Sequence, residues 1–124
     1  MKILIVDDIF TNRLLLVEVI KSIGHEYVQV ENGRDAVEAL LSDDFDLILM
    51  DIEMPVMNGL ETTKFIRENF DSPKNNTPIV ALTAHNPQLF FEDFKDVGFD
   101  QLLTKPYSLE KITSIINDLN LSQV

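Results

Sequence analysis

The sequence contains no cysteine among its 124 residues. Neither a disulfide framework nor a thiolate metal site can therefore exist in this chain. Basic residues are also scarce, with 10 Lys and Arg against 21 Asp and Glu, which gives a net charge of −11. A nucleic-acid-binding surface is not expected, because neutralising phosphates requires an excess of Lys and Arg. The acidic balance is compatible with binding cations or basic partners.

Long apolar runs, internal repeats and low-complexity tracts are missing as well. No run reaches the length of a membrane span, and the apolar start Met1–Val6 is too short for the core of a signal peptide. We therefore expect no membrane association and a cytoplasmic location. With 45% hydrophobic and 25% charged residues, the chain has an ordinary globular composition, and we expect a single domain over residues 1–124.

Short apolar segments alternate with helical patterns along the chain. Four of the five predicted strands are short and apolar, as expected for strands covered on both faces. The second alternates in part and is expected at an edge of the sheet. The predicted strands span residues 2–6, 26–30, 46–50, 78–82 and 100–104.

Five helices are predicted to connect and follow these strands. The first has apolar residues at i, i+3, i+4 and i+7, and Gly24 is placed to end it. The second and third begin at Asn32 and Asn58, and an acid three residues after Asn58 gives the spacing of a capping box. The fourth begins at Asn86, which proline follows, and the fifth at Ser108. The stripe of the first helix consists of Leu16, Val19, Ile20 and Ile23.

This alternation predicts the α/β class, with an open parallel sheet and helices on both faces in three layers. Right-handed crossovers follow from the twist of the strands. In such sheets the ligand lies beyond the carboxyl ends of the strands, near the point where the strand order reverses. Periodicity alone leaves the strand order open.

Polar side chains stand at the carboxyl ends of four predicted strands. Asp7 and Asp8 follow the first strand, Asp51 the third, Thr83 the fourth and Lys105 the fifth. Three carboxylates at one edge repel each other, and a cation, a basic group or protonation makes this tolerable. Hard oxygen ligands favour Mg²⁺ or Ca²⁺ over zinc or copper, and room for water and a phosphate favours Mg²⁺.

An aspartate in such a site can act as a nucleophile toward phosphorus. Phosphoryl transfer requires in-line positioning and neutralisation of the equatorial oxygens. A metal can take one of these oxygens, the Thr83 hydroxyl can donate to a second, and the Lys105 ammonium can bind a third. Each residue alone has an ordinary explanation as a helix cap, a turn hydroxyl or a surface lysine. Their joint placement at one edge argues for a site.

Four separate motifs carry a resemblance to a known family. They are Val6–Asp8, Leu49–Gly59, Ala81–Ala84 and Thr104–Pro106. In this order, and over essentially the whole chain, they resemble the signature of the response-regulator receiver domain of two-component signalling. The resemblance implies a flavodoxin-like sheet of order 2-1-3-4-5 with five helices. It also implies a signalling phospho-acceptor that is not an enzyme, although it catalyses its own phosphorylation and dephosphorylation.

The resemblance implies roles for individual residues. Asp51 would accept the phosphoryl group from a histidine kinase or a histidine phosphotransfer protein. Asp8 would bind Mg²⁺ directly and Asp7 largely through water. Thr83 and Lys105 would contact the phosphoryl group. Phosphorylation would then switch a surface that binds an output partner.

Neighbouring positions would complete and tune this site. The backbone carbonyl of Glu53 would be a further Mg²⁺ ligand, and its carboxylate could affect hydrolysis by repulsion or by orienting water. Where the family often has Tyr or Phe this chain has Leu102, so coupling is expected through Thr83 and the loop after the fourth strand. Glu53 and His85 are equally compatible with solvated loop side chains. The bond before Pro106 is expected to be cis. The expected modulating positions are Glu53, Ala84, His85, Leu102 and Pro106.

Two surfaces are candidates for protein partners. Leu14 and Val17 of the first helix lie away from its core stripe and resemble the face that receivers offer to kinases or phosphotransfer helices. Phe91 flanks the stripe of the fourth helix and resembles the border of an output face. Single exposed apolar residues are common, so both positions also have a plain structural explanation.

Three rival functions differ in class. A pseudo-receiver, an interaction module that does not use Asp51, is the main alternative, and the complete set of site residues speaks against it. A phosphatase of the haloacid dehalogenase type needs Asp-x-Asp at the nucleophile and its acid pair last, whereas here Glu53 follows and the pair comes first. A flavodoxin-like flavin carrier needs a Ser/Thr-rich phosphate loop where Asp7 and Asp8 stand.

The setting of the domain stays open at this stage. A stand-alone regulator, a phosphorelay intermediate and a domain of a larger protein are all compatible with the sequence. The segments Asp51–Gly59 and Phe99–Pro106 resemble receivers attached to hybrid kinases.

Overall fold

The computed structural model of the protein describes residues 1–54, 56–84, 96–106 and 108–121. Strand and helix alternate along the chain, as predicted. The strands are β1 (Lys2–Val6), β2 (Glu26–Val30), β3 (Leu47–Asp51), β4 (Ile79–Thr83) and β5 (Gln101–Thr104). The helices are α1 (Phe10–Ser22), α2 (Gly33–Ser42), α3 (Gly59–Asn69) and α4 (Leu109–Leu121), with a short 3-10 helix at Lys74–Asn76.

The number of helices differs from the prediction. The described residues contain four α-helices rather than five. The missing one is the helix predicted from Asn86, and that segment, with Phe91, lies in residues 85–95, outside the described residues. Within the described parts of the chain, no helix combines the length and apolar character needed to cross a membrane.

All five strands run parallel, in the order β2-β1-β3-β4-β5. The resemblance implies this order, so the flavodoxin-like topology is confirmed. The chain adds β2 on one side of β1 and then adds β3, β4 and β5 on the other side. The strand order therefore reverses between β1 and β3. Partial alternation of burial in β2 agrees with its place at the edge of the sheet.

Two strands end one residue later than predicted. Asp51 pairs with Leu82, and Thr83 pairs with Thr104, so each ladder extends by one step at its carboxyl end. Asp51 and Thr83 are therefore the last residues of β3 and β4 rather than the first residues of loops. Asp51 pairs on the β4 side and Thr83 on the β5 side, and this pairing fixes the backbone of each residue at the sheet edge.

Side chains that alternate along the strands build one core on each face of the sheet. Ile3 packs in one cluster with Ile20 of α1 and with residues of α4. Leu4 packs in the other cluster with Leu40 of α2 and Ile66 of α3. Burying each such side chain contributes about 1.5–3 kcal/mol before the entropy cost of ordering it. The predicted three-layer α/β/α arrangement follows from these two cores.

The helix ends agree with the predicted caps. The Asn32 side chain accepts a hydrogen bond from the Asp35 amide at 2.8 Å. At the start of α3, Asn58 and Glu61 form the reciprocal bonds of a capping box. After α1, Gly24 takes a φ of +83°, a conformation that glycine adopts at little cost.

Of the two α1 residues predicted to be exposed toward a partner, the structure exposes one. Leu14 is exposed, but Val17 is buried in the core. Val17 lies three residues before Ile20 and therefore borders the same stripe, which a buried Arg13 extends by a further turn. The exposed apolar residues at this end of α1 are Ile9, Phe10, Leu14 and Leu15.

Candidate functional site

The carboxyl edge of the sheet brings together the polar residues singled out in the sequence. Asp7 follows β1 directly, and Asp51 and Thr83 end β3 and β4. All three are fully buried, whereas Asp8 is exposed. Because β1, β3 and β4 are neighbours in the sheet, their ends place these residues beside the reversal of strand order.

The Asp51 carboxylate has one engaged oxygen and one open oxygen. Its Oδ1 accepts hydrogen bonds from the Lys105 ammonium at 2.9 Å and from the Glu53 amide at 3.2 Å. Among the described residues, none donates to its buried Oδ2. A buried carboxylate oxygen without a donor is costly, so the arrangement suits a group that binds a further ligand.

The three aspartates form a cluster. One carboxylate oxygen from each of Asp7, Asp8 and Asp51 lies within 4.8 Å of the others. Asp7 Oδ1 accepts from the Ile9 amide at 2.9 Å, while its Oδ2 is buried and has no hydrogen-bond donor in the described part of the chain. Two open carboxylate oxygens in one acidic cluster match the oxygen ligands that a hard divalent cation requires.

Burial also changes the protonation of this cluster. It raises the pKa of Asp51 to about 6; the charge on Asp7 adds to the rise, and the Lys105 ammonium and the Glu53 amide oppose it. Burial likewise raises the pKa of Asp7, against the hydrogen bond from the Ile9 amide. In the absence of a cation the site therefore holds protons more readily than ordinary aspartates do.

Lys105 is held at the edge by backbone contacts as well as by its side chain. Its amide donates to the Thr83 carbonyl at 2.7 Å, and the Lys105–Pro106 bond is cis, as the resemblance implies. A cavity of about 380 Å³ opens beside it, lined by Asn12, Leu15, Ala84, Lys105 and Pro106. Two of the predicted modulating residues, Ala84 and Pro106, thus border the space next to the lysine.

The other predicted modulating residues are spread around the cluster. Glu53 is exposed and lies at the Asp51 carboxylate through its backbone amide. Leu102 is half-buried and packs on the small apolar cluster of Ile52 and Ala81. His85 lies outside the described residues.

Gly59 is a backbone requirement of the site that the sequence motif contained without explanation. A Cβ at this position would lie 2.3 Å from the Asp51 carbonyl oxygen and 2.7 Å from the Ile52 Cα. Only glycine therefore lets the start of α3 approach the end of β3 so closely. In the same loop Val56 has a φ of 71°, an uncommon and strained conformation for a β-branched residue.

Arg13 is the residue at the site that reasoning from the sequence missed. It is 8% exposed, and its Nη1 donates to the Asp7 carbonyl at 2.8 Å. Its spacing in the sequence was the available signal. Arg13 is position i, and the buried residues Leu16, Val17 and Ile20 follow at i+3, i+4 and i+7, which places Arg13 on the buried stripe.

Comparison with known families identifies the family of this domain. The family model described as the response regulator receiver domain matches residues 3–117. The chain belongs to this family. It is a receiver domain of two-component or phosphorelay signalling, and this is a family of signalling proteins rather than a class of enzymes.

Individual relatives agree. The sensor protein GacS of Pseudomonas syringae pv. syringae is 38% identical over 117 residues, which are 93% of this chain and 13% of GacS. Two-component response regulator 24 of Arabidopsis thaliana is 34% identical over 118 residues, 94% of this chain and 82% of the relative. This receiver domain thus spans about an eighth of GacS but most of the plant regulator.

A solved structure gives the same result at the level of the fold. The receiver domain of the sensor histidine kinase PA1611 from Pseudomonas aeruginosa PAO1 superposes with a TM-score of 0.85 at 30% identity, covering 95% of each chain. That structure contains a magnesium ion coordinated in its active site cleft.

Proposed function

We propose that the chain is a single receiver domain over residues 1–124 that accepts a phosphoryl group on Asp51. The donor is a phosphohistidine of a histidine kinase or of a histidine phosphotransfer protein. The observation that carries the proposal is the state of the Asp51 carboxylate. It is buried at the reversal of strand order, Lys105 holds one oxygen at 2.9 Å, and the other oxygen has no donor among the described residues.

Mg²⁺ is the proposed cofactor, and the residues present fit it. The support is the pair of open carboxylate oxygens on Asp7 and Asp51, with the Asp8 carboxylate in the same cluster. These three side chains and the Glu53 backbone carbonyl would hold the ion. Bound there, Mg²⁺ supplies positive charge that offsets the repulsion among the acids and the charge of the phosphoryl oxygens.

In the proposed reaction, a carboxylate oxygen of Asp51 attacks phosphorus while the bond from phosphorus to the histidine nitrogen breaks. The electron pair of that bond returns to the imidazole, which takes up a proton, and an aspartyl phosphate remains. The Lys105 ammonium, already at Asp51, would bind one phosphoryl oxygen, and the Thr83 hydroxyl would donate to another.

The transferred group adds a charge of about −1.5 to −2 and three strong acceptors next to Thr83 and Lys105. We propose that this shifts the population of the loops that follow β4 and β5, and so alters a surface for an output partner. Glu53, Ala84 and Leu102, with the positions of His85 and Pro106, would set the lifetime and the readout of the phosphoryl group. A cytoplasmic location without nucleic-acid or membrane binding is part of the same proposal.

The test is intact-mass measurement after incubation with Mg²⁺ and a small acyl-phosphate donor. We expect one added phosphoryl group on the wild type and none on Asp51→Asn. Asp46→Asn is the matched control, because Asp46 is an exposed aspartate directly before the opposite end of the same strand. A wild type that takes up no phosphoryl group would favour a pseudo-receiver, and an adduct that persists in Asp51→Asn would move the acceptor elsewhere.

A further inference from the structure

Arg13 is the most deeply buried basic side chain among the described residues. A guanidinium is almost never buried without specific partners, because removing its charge from water is expensive. Its partners come from two other elements. Nη1 donates to the Asp7 carbonyl at 2.8 Å, Nε to the Gln29 side-chain oxygen at 3.3 Å, and Nη2 lies 3.6 Å from a Glu31 carboxylate oxygen.

These contacts join the turn after β1 to the end of β2. The Asp7 amide already donates to the Val30 carbonyl at 3.2 Å, so both polar groups of the Asp7 backbone are fixed, one of them by Arg13. The Phe10 ring covers the guanidinium, with its centroid 5.7 Å from the central carbon. Arg13 is therefore a clamp on the segment that carries the acid pair.

This clamp matters because the start of α1 has no ordinary cap. Ile9 occupies the N-cap position without a side-chain hydrogen bond, and the first turn contains no acid. The turn is held instead by the Ile9 amide on Asp7 Oδ1 and by Arg13 on the Asp7 carbonyl. Without Arg13, Asp7 would lose this contact of its carbonyl and would keep the amide bond to Val30 and the bond from the Ile9 amide to its carboxylate.

We propose that Arg13 is a positioning residue for cation binding: it fixes the Asp7 backbone and so orders the carboxylates of Asp7 and Asp8 for Mg²⁺. This inference rests on the proposed function. Outer groups that orient metal ligands typically affect metal affinity by 10–100-fold when removed. The charge of Arg13 acts in the opposite direction, since a nearby cation repels Mg²⁺. The sign of the effect on affinity therefore separates positioning from electrostatics.

The experiment is calorimetric titration of the whole chain with MgCl₂, well below its unfolding temperature, for the wild type, Arg13→Gln, Arg13→Lys and Lys21→Gln. Lys21→Gln is the matched control, because it removes one positive charge from the opposite end of the same helix. We expect Arg13→Gln to weaken Mg²⁺ binding about tenfold, and Lys21→Gln to change it less than about twofold.

Arg13→Lys is expected between the wild type and Arg13→Gln, because lysine keeps the charge and can donate to the Asp7 carbonyl but cannot reach all three acceptors. The Mg²⁺ concentration for half-maximal labelling by an acyl phosphate should rise by the same factor as the dissociation constant.

Equal or tighter Mg²⁺ binding by Arg13→Gln would overturn the positioning role and leave the proposed function standing. If Arg13→Gln does not fold, wild-type affinity in Arg13→Lys has the same consequence. A wild type that binds no Mg²⁺ would overturn both proposals.

Discussion

The carboxyl and amino edges of the sheet carry the same kinds of charged residue in opposite conditions. At the carboxyl edge, Asp7 and Asp51 are fully buried, and each keeps one carboxylate oxygen without a donor in the described part of the chain. At the amino edge, Asp43, Asp44 and Asp46 are all exposed. Sequence composition does not separate the two groups.

Hydrogen bonding separates them. The Lys2 ammonium donates to Asp43, and the Lys2 amide donates to Asp46 at 2.8 Å. Asp44 lies 3.7 Å from the Lys74 ammonium. These surface pairs are screened by solvent and add little to stability. These carboxylates have partners and are exposed to solvent, so they do not require a further ligand.

Cavity volume does not identify the functional edge of the sheet. The cavity at the amino edge, between Asp44 and Pro78, has about 430 Å³, compared with about 380 Å³ beside Lys105. The larger space lies far from the buried acids. Buried, unsatisfied carboxylates are therefore the better mark of the functional edge in this molecule, and each of the following changes tests that difference.

The largest effect is expected from Lys105→Gln. It removes the cation that lies 2.9 Å from Asp51 and that would neutralise the transferred group. Labelling by an acyl phosphate should slow by about 100-fold, as when a donor to a transition-state oxygen is lost. The rate is measured by intact mass against time, with Lys74→Gln at the amino edge as the control. Equal rates for Lys105→Gln and the wild type would remove Lys105 from the chemistry.

We expect Mg²⁺ to bind only at the carboxyl edge and so to stabilise the folded chain. At 100 times its dissociation constant, a ligand that binds only the folded chain adds about 2.7 kcal/mol to the free energy of unfolding. We expect Asp8→Asn to lose most of this gain and Asp44→Asn to keep it, in thermal unfolding with and without MgCl₂. If Asp44→Asn also lost the stabilisation by Mg²⁺, the ion would be binding nonspecifically to acidic residues on the surface.

Without Mg²⁺, Asp51→Asn should be more stable than the wild type at pH 8, by about 1–3 kcal/mol. The pKa of Asp51 rises from 3.8 to about 6 on folding, so the folded chain holds the proton more tightly than the unfolded chain. Stability from this proton is present below pH 4 or so and is lost as the pH rises through about 6.

Asparagine removes that pH dependence, which denaturant unfolding between pH 5 and pH 8 would reveal as a smaller change in the free energy of unfolding. Asp46→Asn should differ from the wild type by less than about 0.5 kcal/mol throughout, because Asp46 is exposed. A destabilised Asp51→Asn at pH 8 would contradict the buried-charge interpretation.

The smallest effect is expected from Glu53→Asn. Glu53 is exposed beside Asp51, and its carboxylate can orient water toward the phosphoryl group. We expect the aspartyl phosphate to last longer in the variant, by less than about tenfold, since an exposed base is poorly positioned. Decay is followed by loss of the mass adduct. A shorter lifetime would indicate repulsion instead, and an unchanged one would exclude Glu53.

Much of this site could be predicted from local sequence. The strands before Asp51 and Thr83, to within one residue at their ends, and the caps at Asn32 and Asn58 are encoded within a few residues, so period and turn chemistry indicate them. In a parallel sheet the carboxyl ends of the strands lie at the same edge, so these strand ends are expected to meet there. Only the resemblance supplied the strand order, because long-range pairing leaves no periodic signal.

The remaining features depend on partners that are distant in the chain. Val17 is buried because the face of α1 that packs on the core is wider than the apolar stripe predicted from the sequence. Arg13 is buried because Asp7, Gln29 and Glu31 surround it, and the turn after β1 and the end of β2 supply these acceptors. The close approach at Gly59 follows from how α3 meets β3, which the motif alone does not specify.

Mapping the labelled residue tests the central claim most directly. The chain is incubated with Mg²⁺ and an acyl phosphate, reduced with borohydride, digested and sequenced by mass spectrometry, since reduction converts an aspartyl phosphate into homoserine. We predict homoserine at position 51 alone, with none when the donor is left out. Homoserine at position 7, 8 or 46, or an unmodified position 51 in labelled protein, would contradict the account.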